Sequence, residues 1–468
     1  MKSIVSSVSL LLAVLHLVGI STERVQAQAI IPAPNTTATV SGAEGKILLA
    51  QAATPTKLDN AFDRENLTEI VPQIEQTWEK QYEDYFRLNF SDESITAKDV
   101  ADTLGKIAVQ TGQKPALIYV VPRAKQLELV LITPGNQPIH KRIPEAKSEI
   151  LLKEAAKFRE NIVDPRQRNS TRYLPAAQQL YQWIIAPLEA DLKTNKIDTL
   201  IFCVGAGLRT IPLAAFHDGQ KFLVEKYNIG RIPAFKLTDT LYVSLKNSQV
   251  LAMGASKFKE QTPLPAVPVE LSAIAQKLWQ GKFFLNQQFT LANLQSQRAS
   301  EPYKIIHLAT HAFFEPGEPS NSYVQLWDAK LTLDKMRQLR WNSPPVELLV
   351  LSACRTALGD KQAELGFAGL AVNSGAKSAI ASLWSVSDEG TLALMTEFYG
   401  QLKTAPIKAE ALRQAQIGMV QGKVRLQNGQ LYSSRGEISL PPELAGIQNV
   451  NLSHPYYWAA FTLVGSPW

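Results

Sequence analysis

Cysteine is nearly missing from this chain: among 468 residues only Cys203 and Cys354 occur. Two thiols form at most one bridge and cannot fill a four-cysteine zinc site. A disulfide framework and a cysteine-based metal centre of that kind are therefore excluded. Charge of one sign is also lacking. Lys+Arg 48 against Asp+Glu 42 leaves a formal +6 with no long run of either sign, which argues against nucleic acid or anionic lipid as partner. Past the first twenty residues no stretch is apolar enough to span a membrane. What remains is a chain with 45% hydrophobic and 19% charged residues, the latter below the globular average of about 25%. It is long enough for two or three packed units and is not a disordered polymer.

The exception to the missing apolar runs is N-terminal. Lys2 precedes the uncharged run Ile4 to Ile20, and small residues follow up to Ala27 and Ala29. This reads as a secretory signal peptide, residues 1–27, cleaved after Ala27 or Ala29. The alternative is an uncleaved anchor, since the run is near the shortest span of roughly 17 residues. After cleavage no membrane association is expected. Residues 28–57 hold no aromatic and are rich in Ala, Thr and Pro, so they have little to bury against the entropy of ordering and read as a flexible linker.

The rest divides into a helical segment (58–110), a first α/β part (111–249) and a second α/β part (250–468). In the helical segment Ile70, Ile74, Trp78, Tyr82, Tyr85 and Phe86 recur at spacings of three and four, one amphipathic helix. Ala116 to Val121 and Leu127 to Thr133 read as strands joined by a turn. Helical patterns follow around Ile150 to Glu160 and Ala176 to Leu192, then the strand Thr199 to Val204. From Val250 strands alternate with helical patterns: strands at Val250 to Met253, Lys304 to Leu308, Glu347 to Leu351 and Ser378 to Leu383, the last followed by a helix from Gly390 to Leu402. Alternation of this kind builds parallel βαβ units with helices on both faces of the sheet. The fold class is α/β.

In an open parallel sheet ligands collect beyond the carboxyl ends of the strands. The strand holding Ile305 and Ile306 runs out into His307-Leu308-Ala309-Thr310-His311-Ala312. The next runs out into Ser352-Ala353-Cys354-Arg355-Thr356. With one crossover between them the two strands are expected to be adjacent, which brings His311 and Cys354 to one edge although 43 positions separate them. A thiol with a reference pKa of about 8.5 is mostly protonated at neutral pH. An imidazole beside it can take the proton and later return it to a leaving amine. The amides of Ala312 and Cys354 would face the developing oxyanion. The plain alternative is that Cys354 is a small buried hydrophobe and His311 a hydrogen-bonded structural residue. Cys203, inside an apolar strand, reads as core, and His307 as a packing or supporting residue. His140, His217 and His454 lie on loop-like stretches, and the first two have no other catalytic feature.

At these residues the chain resembles the CHAT family of caspase-like cysteine peptidases, relatives of separases and caspases. The matching segments are Ile306 to Ala312, Leu351 to Asp360, Gly366 to Ala371, Gly375 to Ser378, Ser382 to Asp388, Phe398-Tyr399, Ala411 to Gln416 and His454 to Phe461, with a weaker match from Gly207 to Phe216. The resemblance runs from about Leu174 to Gly465. It implies a caspase-like α/β sandwich with a mostly parallel central sheet, His311 as base and acid, and Cys354 as nucleophile. Ala312 stands where the family usually has Gly, and the helical repeats that often precede such domains are replaced by one helical stretch. Asp388, beyond the strand end at Trp384, falls where the fold commonly shapes the specificity pocket. A carboxylate there would favour Lys or Arg in the substrate. Its alternative role is to cap the helix from Gly390. With such a preference, Arg166, Arg168 and Arg172 would be candidate self-cleavage sites.

The resulting expectation is an exported cysteine endopeptidase acting on a polypeptide substrate through a thioester, with no cofactor and no metal. The alternatives are an interaction module on the same fold, in which substrate is held and not cut, and a small-molecule hydrolase using the same nucleophile.

Overall fold

Sixteen strands organise the described part of the chain. The computed structural model describes residues 56–91, 93–445 and 449–468. The expected leader and nearly all of the linker lie outside them. The described residues form one compact unit. Within it the strands are β1 (Pro115–Pro122), β2 (Leu127–Ile132), β3 (Ile139–Ile143), β4 (Thr199–Val204), β5 (Asn228–Ile232), β6 (Val250–Gly254), β7 (Gly281–Leu285) and β8 (Ile305–Phe314). Then come β9 (Tyr323–Gln325), β10 (Lys330–Thr332), β11 (Leu348–Thr356), β12 (Ser378–Ser382), β13 (Arg425–Gln427), β14 (Gln430–Ser433), β15 (Gly436–Ser439) and β16 (Phe461–Gly465).

All but β13–β15 join one sheet of 13 strands in the order β10-β9-β8-β11-β12-β16-β5-β4-β1-β2-β3, with β6 also on β8 and β7 on β6. The pairs β1–β4, β4–β5, β5–β16, β11–β12, β8–β11, β6–β8 and β6–β7 are parallel. Residues on both faces of β4, β6 and β11's first half are buried, as a parallel sheet covered by helices on both sides requires. The mixed α/β class with a mostly parallel central sheet is thus observed. The last strand, β16, lies between β12 and β5 and so ties the C-terminal strands to the N-terminal ones.

Two strands run further than the hydrophobic pattern indicates. β8 continues to Phe314 and β11 to Thr356, so His311 and Cys354 lie inside strands and not beyond their ends. The reason is pairing. The last part of β8 finds antiparallel partners in β9, and β11 keeps pairing with β8 as far as Phe314. The single helix expected over Ala176 to Leu192 is instead two helices, Leu174–Ile184 and Glu189–Thr194, joined by the 3-10 turn Ala186–Leu188. Pro187 within that turn has no N–H for a helical bond.

The amphipathic helix Leu67–Phe86 buries the expected Ile70, Ile74, Trp78, Tyr82, Tyr85 and Phe86, and also Glu75 and Glu79. Trp78 packs on Tyr119 of β1 at 6.0 Å between ring centroids. Burial pushes the Glu75 carboxyl up, against the Tyr119 hydroxyl (2.7 Å) and the Phe235 and Lys236 amides (3.0 and 2.8 Å), which donate to it. A second buried carboxylate, Glu364 on the helix Lys361–Ala368, accepts from Gly207 N (2.8 Å) and Thr210 Oγ1 (3.0 Å) and lies 3.7 Å from Arg159. It binds the segment after β11 to the loop after β4. Removing one partner of such a network strands the others. Glu364→Ala is therefore expected to cost about 3 kcal/mol of unfolding free energy, read from denaturant titration.

Candidate active site

Where β8 and β11 run side by side, Leu351 is level with Leu308 and Ala353 with His311, so β8 holds one extra residue between these pairs. Beyond that irregularity Cys354 is level with Ala312. Residues level on neighbouring strands share a face, and successive residues alternate. His311 therefore shares a face with Ala353 and Arg355. Cys354 falls on the opposite one, with Ala312, Thr356 and Phe314, the last packed on Phe367 at 5.4 Å. Burial agrees, for Arg355 is exposed and Ala353 and His311 half-buried, whereas Cys354 is fully buried. The two residues come to one edge of adjacent strands, and their side chains do not meet.

His311 is held from the loop after β6. Its Nε2 lies 2.8 Å from the Thr262 carbonyl, its ring 4.7 Å from Phe258 and 6.1 Å from Phe313. A carbonyl only accepts, so Nε2 carries the proton, and in the neutral ring Nδ1 is the basic nitrogen. Burial lowers the pKa of His311 below its ordinary value, with the Thr262 bond opposing, which keeps the ring neutral at pH 7.

The Cys354 thiol donates to Leu351 O at 3.4 Å, and burial pushes its pKa up to about 12 against hydrogen bonding with Ser382. Ser382 on β12 grips the Cys354 backbone twice: its Oγ accepts from Cys354 N and donates to Cys354 O, both at 3.1 Å. The Cys354 amide expected at an oxyanion is thus engaged here. Ala312 lies in the ladder between Cys354 and Val324. Cys203 is buried and donates to Pro233 O. It is four strand spacings from β11, about 19 Å, far beyond the roughly 7 Å limit for a disulfide.

Asp388 is the first residue of the helix Asp388–Leu402, two residues earlier than the pattern places its start. The cap is Ser387, whose hydroxyl accepts from Gly390 N, so the capping role does not belong to Asp388. The Asp388 carboxylate accepts from Ala266 N and so fastens the far end of the loop that carries Thr262. Burial, with the charges of Glu270 and Glu389 adding, raises its pKa to about 7. Trp384 is buried and donates through its indole N–H to Tyr456 O at 3.0 Å. His307 supports from within the core, with Nε2 at 2.9 Å from Glu270 Oε1 and Nδ1 at 3.2 Å from the Tyr399 hydroxyl. Of the arginines in the 164–172 loop, Arg168 bonds the Tyr457 hydroxyl and lies over Tyr456 and Tyr457. Arg166 is exposed and paired with Asp164, and Arg172 is exposed. Among the described residues no group of three or more His, Cys, Asp or Glu is placed to hold a metal, and no helix is long and apolar enough to cross a membrane.

Beside His311, on the side away from β11, an open groove of about 640 Å³ runs between the 257–261 loop and the β9–β10 hairpin. Neither Asp388 nor Trp384 lines it. The roles of the Thr262 carbonyl and the Ser382 hydroxyl are not legible in the sequence, the first because any residue offers a carbonyl. The only sign of the second is a serine on the strand next to the cysteine's.

The site thus consists of a His and a Cys on adjacent parallel strands of an α/β sheet. The family model of the CHAT domain matches residues 174–466, more than half of the chain, and the chain belongs to that family. No curated protein matches it. Among solved structures it is similar to the Saccharomyces cerevisiae separase–securin complex, with 10% identity over 87% of this chain and a TM-score of 0.47. The match spans 34% of the separase complex chain, about a third of its length. It is also similar to the complex of the pro- and mature domains of Porphyromonas gingivalis RgpB, with 11% identity over 75% of this chain and 78% of that one, and a TM-score of 0.37. The Arg-specific cysteine proteinase gingipain R matches at 11% identity over 76% and 78%, with a TM-score of 0.37.

The Asp388 carboxyl has a sign that can be tested. Its folded pKa is raised, so the native state binds its proton more tightly than the unfolded chain. The carboxyl then destabilises the fold progressively as pH rises from about 4 through about 7. Asp388→Asn keeps an acceptor for Ala266 N without the charge. The variant is expected to exceed the native chain in unfolding free energy by about 2 kcal/mol at pH 8, less at pH 5, in paired thermal melts. An equal gap at both values would refute the assignment.

Proposed function

We propose that this chain is an exported cysteine endopeptidase in which His311 is the base and Cys354 the nucleophile. The observation that carries the reading is the register of β8 and β11, which sets the two residues one position apart at a single sheet edge, with His311 already oriented through Thr262 O. In the reaction Nδ1 of His311 takes the thiol proton, and the thiolate sulfur bonds to the scissile carbonyl carbon. The imidazolium then gives its proton to the leaving amine as the C–N bond breaks, leaving a thioester. Water, deprotonated by the same nitrogen, releases the acid and restores the thiol.

The thiol reaches this position when the end of β11 turns over, carrying Cys354 from the Phe314 face to the His311 face. That turn detaches Cys354 N–H from Ser382 and frees it, beside Ala312 N–H, for the oxyanion. Export rests on the N-terminal sequence pattern and a polypeptide substrate on the family. Nothing in the two-step chemistry calls for another reagent than water.

A second reading has one observation in its favour. The Cys354 thiol is buried, protonated and on the far face from His311, which is what a module that holds a polypeptide without cutting it would retain. Labelling of the purified chain with a peptide-bearing cysteine electrophile separates the two. The peptidase reading expects an adduct on Cys354, none in Cys354→Ala, and at least about 100-fold slower labelling in His311→Ala. Labelling indifferent to His311, or none at all, leaves the binding module.

A further inference from the structure

We propose that the groove beside His311 receives the part of the substrate that leaves with the amine, and that it selects a large apolar side chain accompanied by a carboxylate. This rests on the peptidase reading and adds to it the side of the scissile bond that is read. The direction follows from the order of the strands. β11, which carries Cys354, lies on one side of β8; β6 with its following loop and β9 lie on the other. The nucleophile keeps the acyl half of the substrate, and the imidazole protonates the amine of the other half. A chain running from Cys354 past His311 thus enters the groove with its leaving half.

The groove is physically continuous with the imidazole. Phe258 on its wall is the ring against His311, and the residue after Gln261 in the same loop is Thr262, whose carbonyl holds Nε2. Gln261 reaches Gln325 across the groove at 3.3 Å, and Gln325 O accepts from Thr310, the neighbour of His311, at 2.6 Å. A ligand lying there presses on the groups that orient the base.

Its chemistry has two parts. Phe258, Leu326 and Trp327 supply the apolar surface. Trp327 is 39% exposed, and among the described residues it is the only aromatic among the exposed large hydrophobic side chains. A volume of about 640 Å³ suits a few residues of peptide. The charged part is Lys257, Lys259 and Lys330 against Glu260 and Asp328. No salt bridge among the described residues engages the three lysines, although Lys330 lies over the Tyr323 ring at 4.4 Å, and Asp328 already accepts from Leu291 N. The one surplus positive charge, with the lysines free of such salt bridges, favours a carboxylate in the ligand.

The test uses the full chain and two substrates with one acyl half. One ends in aminocoumarin, with nothing beyond the scissile bond; the other is an internally quenched peptide continuing Phe-Asp. Trp327→Ala is expected to lower the ratio of kcat/KM for the extended over the truncated substrate about tenfold. Lys257→Glu with Lys259→Glu is expected to invert the preference from Phe-Asp to Phe-Lys, a gain that misfolding cannot imitate. An unmoved ratio and an unchanged preference would overturn the proposal. Anisotropy of a labelled peptide beginning Phe-Asp, measured on Cys354→Ala, separates this failure from that of the peptidase reading. Binding weakened tenfold by Trp327→Ala upholds the groove even if neither substrate is cut, whereas binding indifferent to Trp327 and the lysines rejects it.

Discussion

The pairing of β8 with β11 governs the rest of the site, because a side chain's face in a strand depends on a count of residues. One extra residue in β8 brings His311 level with Ala353 and Cys354 level with Ala312. A shift of one residue exchanges the faces of everything that follows. The same pairing that brings the imidazole and the thiol to one edge also points them apart. Ser382 holds the thiol side of this arrangement with two hydrogen bonds to one peptide unit. Each is worth about 1 kcal/mol net, so the end of β11 is restrained only modestly on this side.

Restraint on the histidine side is of another kind. Thr262 sits in a loop anchored at both ends, by β6 before it and by Asp388 gripping Ala266 after it. The helix that follows carries Glu270, which faces His307 in the core of the same strand as His311. His311 is fixed by its covalent neighbours and by the anchored Thr262 carbonyl; the Cys354 peptide is fixed by one hydroxyl. Motion is therefore expected in β11 and not in β8. The N-terminal segments contribute by bracing this frame: Glu364, just past β11, is bonded to the loop after β4, and Glu75 joins the first long helix to β1 and to the residues after β5.

Much of the frame is legible in the residues alone. The apolar runs of β4, β6, β8 and β11 and the alternation with helical patterns give the α/β class, and His311 and Cys354 stand out as reactive groups on consecutive strands. The faces do not, since they depend on where β8 carries its extra residue, and that is decided by pairing with β9 and β11. Short or polar strands are hidden as well. β9 and β10 have three residues each, and β3, Ile139–Ile143, alternates little. β16 and β5 owe their places to each other's company in the sheet, through contacts far apart in sequence. Asp388 shows the limit for a single residue: its acidity and position invite either a pocket or a cap, and only the fold reveals that Ala266 N is its partner.

The proposed dyad requires that the fold hold the Cys354 thiol protonated and away from His311 until β11 turns. The rate at which a small neutral alkylating agent modifies Cys354, followed by mass spectrometry of the mapped peptide across pH 6 to 10 without substrate, tests it directly. A buried thiol with its pKa pushed up to about 12 gives a rate that is still climbing at pH 10 and is the same in His311→Ala. A rate that levels off below pH 8 and is lost with His311 would mean that the thiolate and imidazole are already paired, and would contradict the account.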